Sequence, residues 1–275
     1  MSQQSTGPAY GPGAGDGFED VLGDAPAPRP TVRGRALAAL GVFGELLITL
    51  GVLLALFAAY SLWWTNVQAD RTADRAADKL RSAWSAPQAG GSADGGATAA
   101  PGAAAAPEQQ RTYAAGDGVG FLHVPAMGRD FQVLIRMGTD AETLADGVAG
   151  VYETPYRSAM PWDAEGNFAL AAHRDGHGAK FHDLDAVKPG DAVVVETKDS
   201  WYVYRIDATL PETSKYDTGV VAPVPKGSSY HSPGRYITLT TCTPVYTSRY
   251  RMAVWGSLVR VDPVDAGRTP PAELR

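Results

Sequence analysis

The most constraining feature of the chain is an apolar run from Leu46 to Trp64, 19 residues without a charge. At about 1.5 Å per residue, a helix of this length spans roughly 28 Å, which is close to the hydrocarbon thickness of a bilayer. The run is longer than the apolar core of a signal peptide, and its final Trp63 and Trp64 suit an interfacial aromatic belt. The sequence therefore predicts an uncleaved transmembrane anchor over residues 36–64.

The flanks of this run predict its orientation. Residues 1–35 are rich in Gly, Pro, Ala and Ser, and they carry Arg29, Arg33 and Arg35 close to the apolar run. The residues after the run mix Asp with Arg and Lys, so the positive charge is biased towards the N-terminal side. We expect a disordered cytoplasmic tail at residues 1–35, a single pass through the plasma membrane, and the rest of the chain on the extracytoplasmic face.

Residues 65–111 are expected to connect the anchor to a folded domain. The Arg71/Asp74 and Arg75/Asp78 pairs, each three residues apart, favour a juxtamembrane helix. Residues 85–110 form an Ala/Gly/Pro-rich stretch of 26 residues. As a flexible coil it would span on the order of 28 Å, and it would hold a domain near the membrane without fixing its orientation.

Residues 112–263 show the pattern of a mainly β domain. Short runs with strand character are bounded by Gly, Pro, Asp and Asn, and helical periodicity is confined to residues 141–147 and 181–187. The candidate strands are residues 118–127, 130–138, 167–173, 191–199, 201–210, 236–242 and 252–261. About seven strands in this length predict a barrel or a sandwich, and residues 264–275 are expected to be a flexible tail.

The net charge of the chain argues against a nucleic-acid partner. The formal net charge is -6 at pH 7. A protein that binds nucleic acid needs a basic face to displace counterions from phosphates. We therefore expect no nucleic acid among the partners.

The chain has a single cysteine, Cys242, at the end of the candidate strand 236–242. Alternation along this strand puts Ile237 and Leu239 on one face and Cys242 on the opposite, more polar face. An odd thiol in an exported domain indicates an intermolecular bridge, an inert buried residue or a reactive nucleophile. The position weakens the structural interpretation, since a core cysteine would usually share the face of Ile237 and Leu239.

A nucleophilic cysteine needs a proton-transfer partner and a donor for the oxyanion. His173 closes a strand of small apolar residues in the way that Cys242 closes its own strand. Arg249 and Arg251 stand at the start of the last strong strand, and either guanidinium could stabilise an oxyanion. The spacing of His173, His177 and His182 also invites a zinc site, but the glycines among them disfavour a helix. We therefore expect no metal and no cofactor.

Two motifs in this region resemble those of a known family. The stretch "TLTTC", ending at Cys242, and "TPVYTSRYR" after it, with Arg251 nine positions beyond the cysteine, are similar to the signature of sortases. The stretch "NFALAAHRDGHGAKFHDLDAVKPGD" resembles the sortase segment that carries the family's histidine, here His173, and "VYETPYRSAMPWDAEGN" before it is also similar. The resemblance covers roughly residues 116–261, and it is strongest to class E enzymes of high-GC Gram-positive bacteria. One departure is Ala172, where the family often has glycine.

The resemblance implies a membrane-anchored transpeptidase with an eight-stranded sortase-type β-barrel and short helices. It assigns Cys242 as nucleophile, His173 as general acid and base, Arg251 as oxyanion and substrate donor, and Thr240 and Thr241 as substrate-binding residues. The implied partners are the sorting-signal peptide of secreted surface proteins and a peptidoglycan precursor or other amine. The implied reaction cleaves an LAxTG- or LPxTG-like signal between Thr and Gly through a thioacyl intermediate.

Three other interpretations remain open from the sequence. A cysteine hydrolase of the cell envelope would share the thiol and the histidine but would use water as acceptor. A class C-like pilin polymerase would typically carry a lid with an Asp-Pro-aromatic plug, which this sequence does not show. A non-catalytic wall-binding module would keep Cys242 as a packed residue.

Overall fold

The computed structural model describes residues 32–85 and 112–275. It contains one long helix, α1 (Val32–Ser85), one short helix, α2 (Ala141–Ala145), and eight strands. The strands are β1 (Gly118–His123), β2 (Gln132–Met137), β3 (Ala149–Val151), β4 (Gly166–Ala171), β5 (Ala192–Glu196), β6 (Ser200–Ser214), β7 (Arg235–Thr243) and β8 (Tyr250–Pro263). The chain divides into two compact units, Met1–Leu56 and Phe57–Arg275.

The eight strands close into one barrel in the order β1-β2-β3-β4-β7-β8-β6-β5. The pairs β2/β3 and β4/β7 are parallel, and the other neighbours run antiparallel. Closure removes the open sheet edges that promote aggregation. The predicted mainly β fold with an eight-stranded barrel is confirmed, and β3 is the strand that the sequence pattern missed.

The barrel interior is filled by one face of each strand. On β7 this face carries Ile237 and Leu239, which are fully buried. The outer face of β4, β7 and β8 is covered in part by a short 3₁₀ segment, Thr218–Val221, and the Trp255 indole donates a hydrogen bond to the Val220 carbonyl at 2.9 Å. The outer face of these strands is therefore a packed surface that ends at the barrel rim.

The two predicted helical segments differ in outcome. Helix α2 forms where it was expected, and the Asp140 carboxylate caps it by accepting a hydrogen bond from the Thr143 amide at 2.9 Å. The second segment, residues 181–187, contains only a 3₁₀ turn at Leu184–Ala186. Its buried residues Phe181, Leu184 and Val187 recur every third position, which is the period of a 3₁₀ helix and not of an α-helix.

The C-terminal segment 264–275 was expected to be a flexible tail, but in the structure it packs on the barrel. Arg268 donates to the Glu196 carboxylate at 2.8 Å, and Leu274 packs against a buried cluster formed by β5 and β6. The tail was misread because its few apolar residues are scattered among Pro, Gly and charged residues. The ion pair with buried Glu196 and the apolar contacts of Val264 and Leu274 hold the segment in place.

Helix α1 contains the predicted membrane anchor. Its apolar part is long enough and apolar enough to cross a membrane, and the helix continues beyond the apolar run to Ser85. In the structure the residues from 65 to 85 are helical, as part of α1. The predicted tail at residues 1–31 and most of the predicted linker, residues 86–111, lie outside the described residues.

The juxtamembrane part of α1 differs from the prediction in one respect. It lies along the barrel, where Ala69 and Ala73 are only 3% and 7% exposed. Near its end, Arg81 forms an ion pair with Glu196 of β5 at 3.2 Å. The structure therefore fixes the barrel to this helix, whereas a freely pivoting tether was expected.

Candidate active site

The register of two parallel strands brings Cys242 and His173 to the same rim of the barrel. Strand β4 pairs with β7 so that Ala171 lies opposite Thr240, and the Ala172 amide continues the ladder to the Thr240 carbonyl at 3.3 Å. Extending this register by two residues places His173 beside Cys242. Both side chains therefore leave neighbouring strands at the point where each strand ends.

A cavity of about 560 Å³ opens at this rim. Its lining includes Cys242, His173, residues of the loop after His173 and residues of the β7–β8 loop. Cys242 is partly exposed and projects from the outer face of β7, opposite the face of Ile237 and Leu239, as the alternation predicted. A partly exposed thiol beside an imidazole is an arrangement suited to nucleophilic chemistry.

A larger cleft, of about 750 Å³, lies between the juxtamembrane helix and strands β1 and β2. Arg75, Lys79 and Arg136 contribute to its lining, but no cysteine or histidine does. Size alone therefore does not identify the reactive site. Cys242 and His173, the predicted nucleophile and proton carrier, lie together in the smaller cavity.

Burial and a neighbouring imidazole lower the pKa of His173. Partial burial is the larger cause, and the adjacent His177, whose ring centre lies 5.1 Å away, adds to the effect. The charge of Asp175 acts in the opposite direction and favours the protonated form. Because the pKa lies below its ordinary value, the neutral imidazole dominates at pH 7, and the protonated fraction rises as the pH falls.

The two neighbours of His173 should shift its pKa in opposite directions. We expect His177→Gln to raise the pKa of His173, because a competing positive charge is lost. Asp175→Asn should lower it further, because a favourable negative charge is lost while the amide keeps an acceptor oxygen. Titration of the imidazole by NMR measures both shifts, and shifts of the same sign in the two variants would disprove this electrostatic description.

Arg251 lies directly opposite Cys242 in the antiparallel β7/β8 pair. Directly opposed residues project from the same face, with Cβ atoms about 4.5–5.5 Å apart. Its Nη1 donates to the carbonyls of Ser248 and Tyr250, at 3.2 and 2.9 Å. The structure therefore places the backbone of Arg251 beside the thiol, while its guanidinium rests against the β7–β8 loop.

Arg249 has a different environment. It is exposed, and its guanidinium carbon lies 5.6 Å from the centre of the Tyr250 ring. Arg251 pairs directly with Cys242, whereas Arg249 precedes β8, which begins at Tyr250. The geometry thus separates the two arginines that the sequence offered as candidates.

Thr240 and Thr241, the expected substrate-binding residues, have a different place in the structure. They are only 2% and 3% exposed. The Thr240 hydroxyl donates to the Leu170 carbonyl at 3.2 Å, and the Thr241 hydroxyl donates to the Ala172 carbonyl at 2.9 Å. Both hydroxyls therefore help to hold the ends of β4 and β7 together, and their expected contact with a substrate stays a prediction.

Sequence reasoning missed two residues that shape this rim. The Tyr152 hydroxyl lies 3.0 Å from the Thr240 hydroxyl, and burial raises the pKa of Tyr152, a shift opposed in part by the charge of Arg251. The Asp175 carboxylate accepts a hydrogen bond from the Tyr246 amide at 2.5 Å, which ties the histidine loop to the β7–β8 loop. Tyr152 and Asp175 both lie within the motifs that resemble the sortase family, but their spacing in the sequence does not predict these contacts.

A family model described as the sortase domain matches residues 122–259. The chain is also 54% identical to sortase SrtE2 of Streptomyces coelicolor over 241 residues, which cover 87% of this chain and 90% of that protein. The matched region includes the strands that carry Cys242, His173 and Arg251.

Solved structures with the same barrel include sortase E1 from Streptomyces coelicolor, determined with a tripeptide in its active site. It is 43% identical, with a TM-score of 0.55, and the match covers 60% of this chain and all of that one. Sortase E from Streptomyces avermitilis is 36% identical, with a TM-score of 0.52, over 59% of this chain and all of that one. These structural neighbours are class E sortases.

Proposed function

The chain belongs to the sortase family, and from that premise we propose that it is a membrane-anchored cysteine transpeptidase of the class E type. It cleaves an LAxTG- or LPxTG-like sorting signal between Thr and Gly and joins the released threonine carbonyl to an amine of a cell-wall precursor. The observation that carries this proposal is the placement of Cys242 and His173 at adjacent strand ends in one open cavity. Residues 112–263 form the catalytic domain.

The first half of the reaction transfers the acyl group to the enzyme. The Cys242 thiolate attacks the threonine carbonyl, the C–N bond to glycine breaks, and protonated His173 gives its proton to the departing amine. This step leaves a thioester and a neutral imidazole. The lowered pKa of His173 keeps the proton easy to release, although it limits the fraction of enzyme that carries it at neutral pH.

The second half reverses the proton transfer. The acceptor amine attacks the thioester, neutral His173 takes a proton from the incoming nitrogen, and the C–S bond breaks to regenerate the Cys242 thiolate and protonated His173 and to form a new amide. The tripeptide found in the active site of the Streptomyces coelicolor relative supports an extended peptide as the occupant of the corresponding cavity. The amine, rather than water, is what makes the enzyme a transpeptidase.

Arg251 supplies the donor for the oxyanion in this proposal. Arg251→Lys is expected to lower kcat/KM by about a hundredfold, because an oxyanion donor is worth about 10²–10³ in rate and lysine lacks the planar fork. The matched control is Arg249→Lys, at the exposed neighbouring arginine, which should stay within about twofold. Comparable losses in the two variants, measured by steady-state ligation, would contradict the choice of Arg251.

The apolar part of α1 is the membrane anchor in this proposal. With the N-terminus in the cytoplasm, the barrel lies on the outer face of the plasma membrane, where exported proteins and wall precursors are found. The Arg29, Arg33 and Arg35 cluster before the span supports this orientation.

The experiment that tests the function uses the full-length chain in lipid nanodiscs with an LAxTG peptide and a glycine-based amine. Mass spectrometry of the products is expected to show the peptide joined to the amine through its threonine. Release of the free acid alone, at every amine concentration, would favour the hydrolase interpretation. Absence of cleavage with both LAxTG and LPxTG peptides would overturn the proposed signal.

A further inference from the structure

The loop after His173 has an unusual backbone. Four consecutive residues have positive φ angles: Gly176 at 63°, His177 at 47°, Gly178 at 77° and Ala179 at 42°. The left-handed region is costly for residues with a Cβ atom, so His177 and Ala179 are strained there. Such conformations persist only where the surrounding structure holds them.

Two side chains of the juxtamembrane helix hold this loop from outside the barrel. The Asn66 side-chain oxygen accepts a hydrogen bond from the Gly178 amide at 3.0 Å. One helical turn later, the Asp70 carboxylate accepts from the Lys180 ammonium at 2.8 Å. The fit is close, since a Cβ atom on Gly178 would lie 3.0 Å from the Asp70 carboxylate.

The helix is itself firmly seated, which allows it to act as a support. Ala69 packs at Gly147, where an added Cβ atom would come within 3.3 Å of it. Further along, the rings of Trp84 and Phe121 meet edge to face at 5.5 Å. Glu196, which binds Arg81 of this helix, also binds His123 and Arg268. Burial alone would raise the pKa of Glu196, but these three partners outweigh that effect and lower the pKa to about 2.

We propose that the juxtamembrane helix is a working part of the active site, and that Asn66 and Asp70 are positioning residues for His173. They fix the strained loop from Gly176 to Lys180, and this loop in turn sets the imidazole against Cys242. The inference rests on the proposed function, because it assigns these residues to the same reaction. It also means that the segment of α1 from Asn66 to Asp70 is held against the loop beside the cavity.

The location of the cavity agrees with this role. Ser61 and Thr65 of α1 contribute to its lining, next to Trp63 and Trp64 at the end of the apolar run. Tryptophan at this position is typical of the membrane–water interface. Asn66 and Asp70 therefore lie on the same segment of α1 as two residues that line the cavity.

The test uses the full-length chain in nanodiscs and four variants. Asn66→Leu removes the acceptor, and Asn66→Asp is the conservative variant that keeps an oxygen for the Gly178 amide. Asp70→Asn removes the charge that binds Lys180. The matched control is Asp78→Asn, since the Asp78 side chain is exposed on the same helix and its carboxylate makes no hydrogen bond or ion pair with the described residues, 32–85 and 112–275.

Two readouts are needed, amide hydrogen exchange over residues 173–182 and the separate values of kcat and KM. Asn66→Leu and Asp70→Asn are expected to accelerate exchange in this loop. They should also lower kcat by about tenfold, the factor expected when one hydrogen bond of ordinary net strength is lost, with KM nearly unchanged. Asn66→Asp should retain most of the activity, and Asp78→Asn should match the wild type in both readouts.

The outcomes separate this inference from the proposed function. Suppose that the wild type ligates, and that Asn66→Leu and Asp70→Asn behave like Asp78→Asn in both readouts. The positioning role of Asn66 and Asp70 is then disproved, while the proposed transpeptidase activity stands. Suppose instead that the wild type does not ligate, but that its loop is protected from hydrogen exchange and the two variants lose this protection. The support of the loop by Asn66 and Asp70 then stands, and the proposed reaction fails. A loss of kcat in Asn66→Asp as large as in Asn66→Leu would also overturn the role assigned to Asn66.

Discussion

Replacing Cys242 by alanine is expected to reduce ligation by about 10⁴-fold or more, since loss of the nucleophile removes the covalent route entirely. Cys242 is the only cysteine in the chain, so no second thiol can substitute for it. The side chain lies at the barrel rim and is partly exposed, so a one-atom truncation should leave the core intact. A steady-state ligation assay measures the loss, and thermal unfolding of the variant checks the fold.

The same residue provides a second, independent readout. In the native wild type, Cys242 should react with a maleimide or iodoacetamide probe without prior unfolding, because its sulfur opens into the cavity. A thiol that labels only after denaturation would contradict the nucleophile assignment. It would instead favour the non-catalytic wall-binding module.

Replacing His173 by glutamine is expected to lower kcat by about 10³-fold, within the range usual for loss of a general acid–base group. Both half-reactions need this imidazole, once as proton donor and once as acceptor, so no choice of amine should rescue the variant. Glutamine keeps a polar side chain of similar length but cannot carry the proton. The measurement is kcat at saturating peptide and amine across pH 5 to 9.

The control for His173 is His231→Gln, which changes an exposed histidine in the loop before β7. This variant should retain wild-type kcat and the wild-type pH profile. If the pH profile of kcat has the same shape in His173→Gln as in the wild type, whatever the remaining activity, another group transfers the proton. His177 would then be the first candidate, because its ring lies next to His173 in the cavity.

The sequence predicts the barrel well where strands are long and alternate regularly. Strand β7 is a clear case, since Ile237 and Leu239 fill the interior and Cys242 projects from the other face. Strand β3 was missed because its three residues, Ala149–Val151, are too few to show a period of two. Its pairing with β2 and β4 depends on contacts that are distant in sequence.

The sequence alone predicts only that Cys242 and His173 each lie at the end of a strand, and it does not predict how close they are. Both were recognised as strand ends, but their proximity depends on the parallel register of β4 with β7, which nothing local specifies. The contacts of Thr240 and Thr241 also depend on this register. Threonines beside a reactive cysteine suggest substrate contacts, whereas the structure gives their hydroxyls to carbonyls of the neighbouring segment.

The docking of the juxtamembrane helix had a signal in the sequence that was not used. Small and apolar residues recur at helical spacing along one face, at Ala69, Ala73, Ala76, Ala77, Leu80 and Trp84. Such a stripe is typical of a helix that packs on a partner. The Arg and Asp pairs indicated a helix but no packing partner for it, and alanine contributes too little hydrophobicity to make the stripe conspicuous.

The thioacyl enzyme on Cys242 is the species on which the proposed function depends. The full-length chain, incubated with an LAxTG peptide without an amine and quenched in acid, should gain the mass of the peptide fragment that ends at threonine. The adduct should map to Cys242, be released by hydroxylamine, and be absent from Cys242→Ala. Ligated product formed without any adduct, or an adduct that persists in Cys242→Ala, would contradict the assignment of Cys242 as the nucleophile of a transpeptidase.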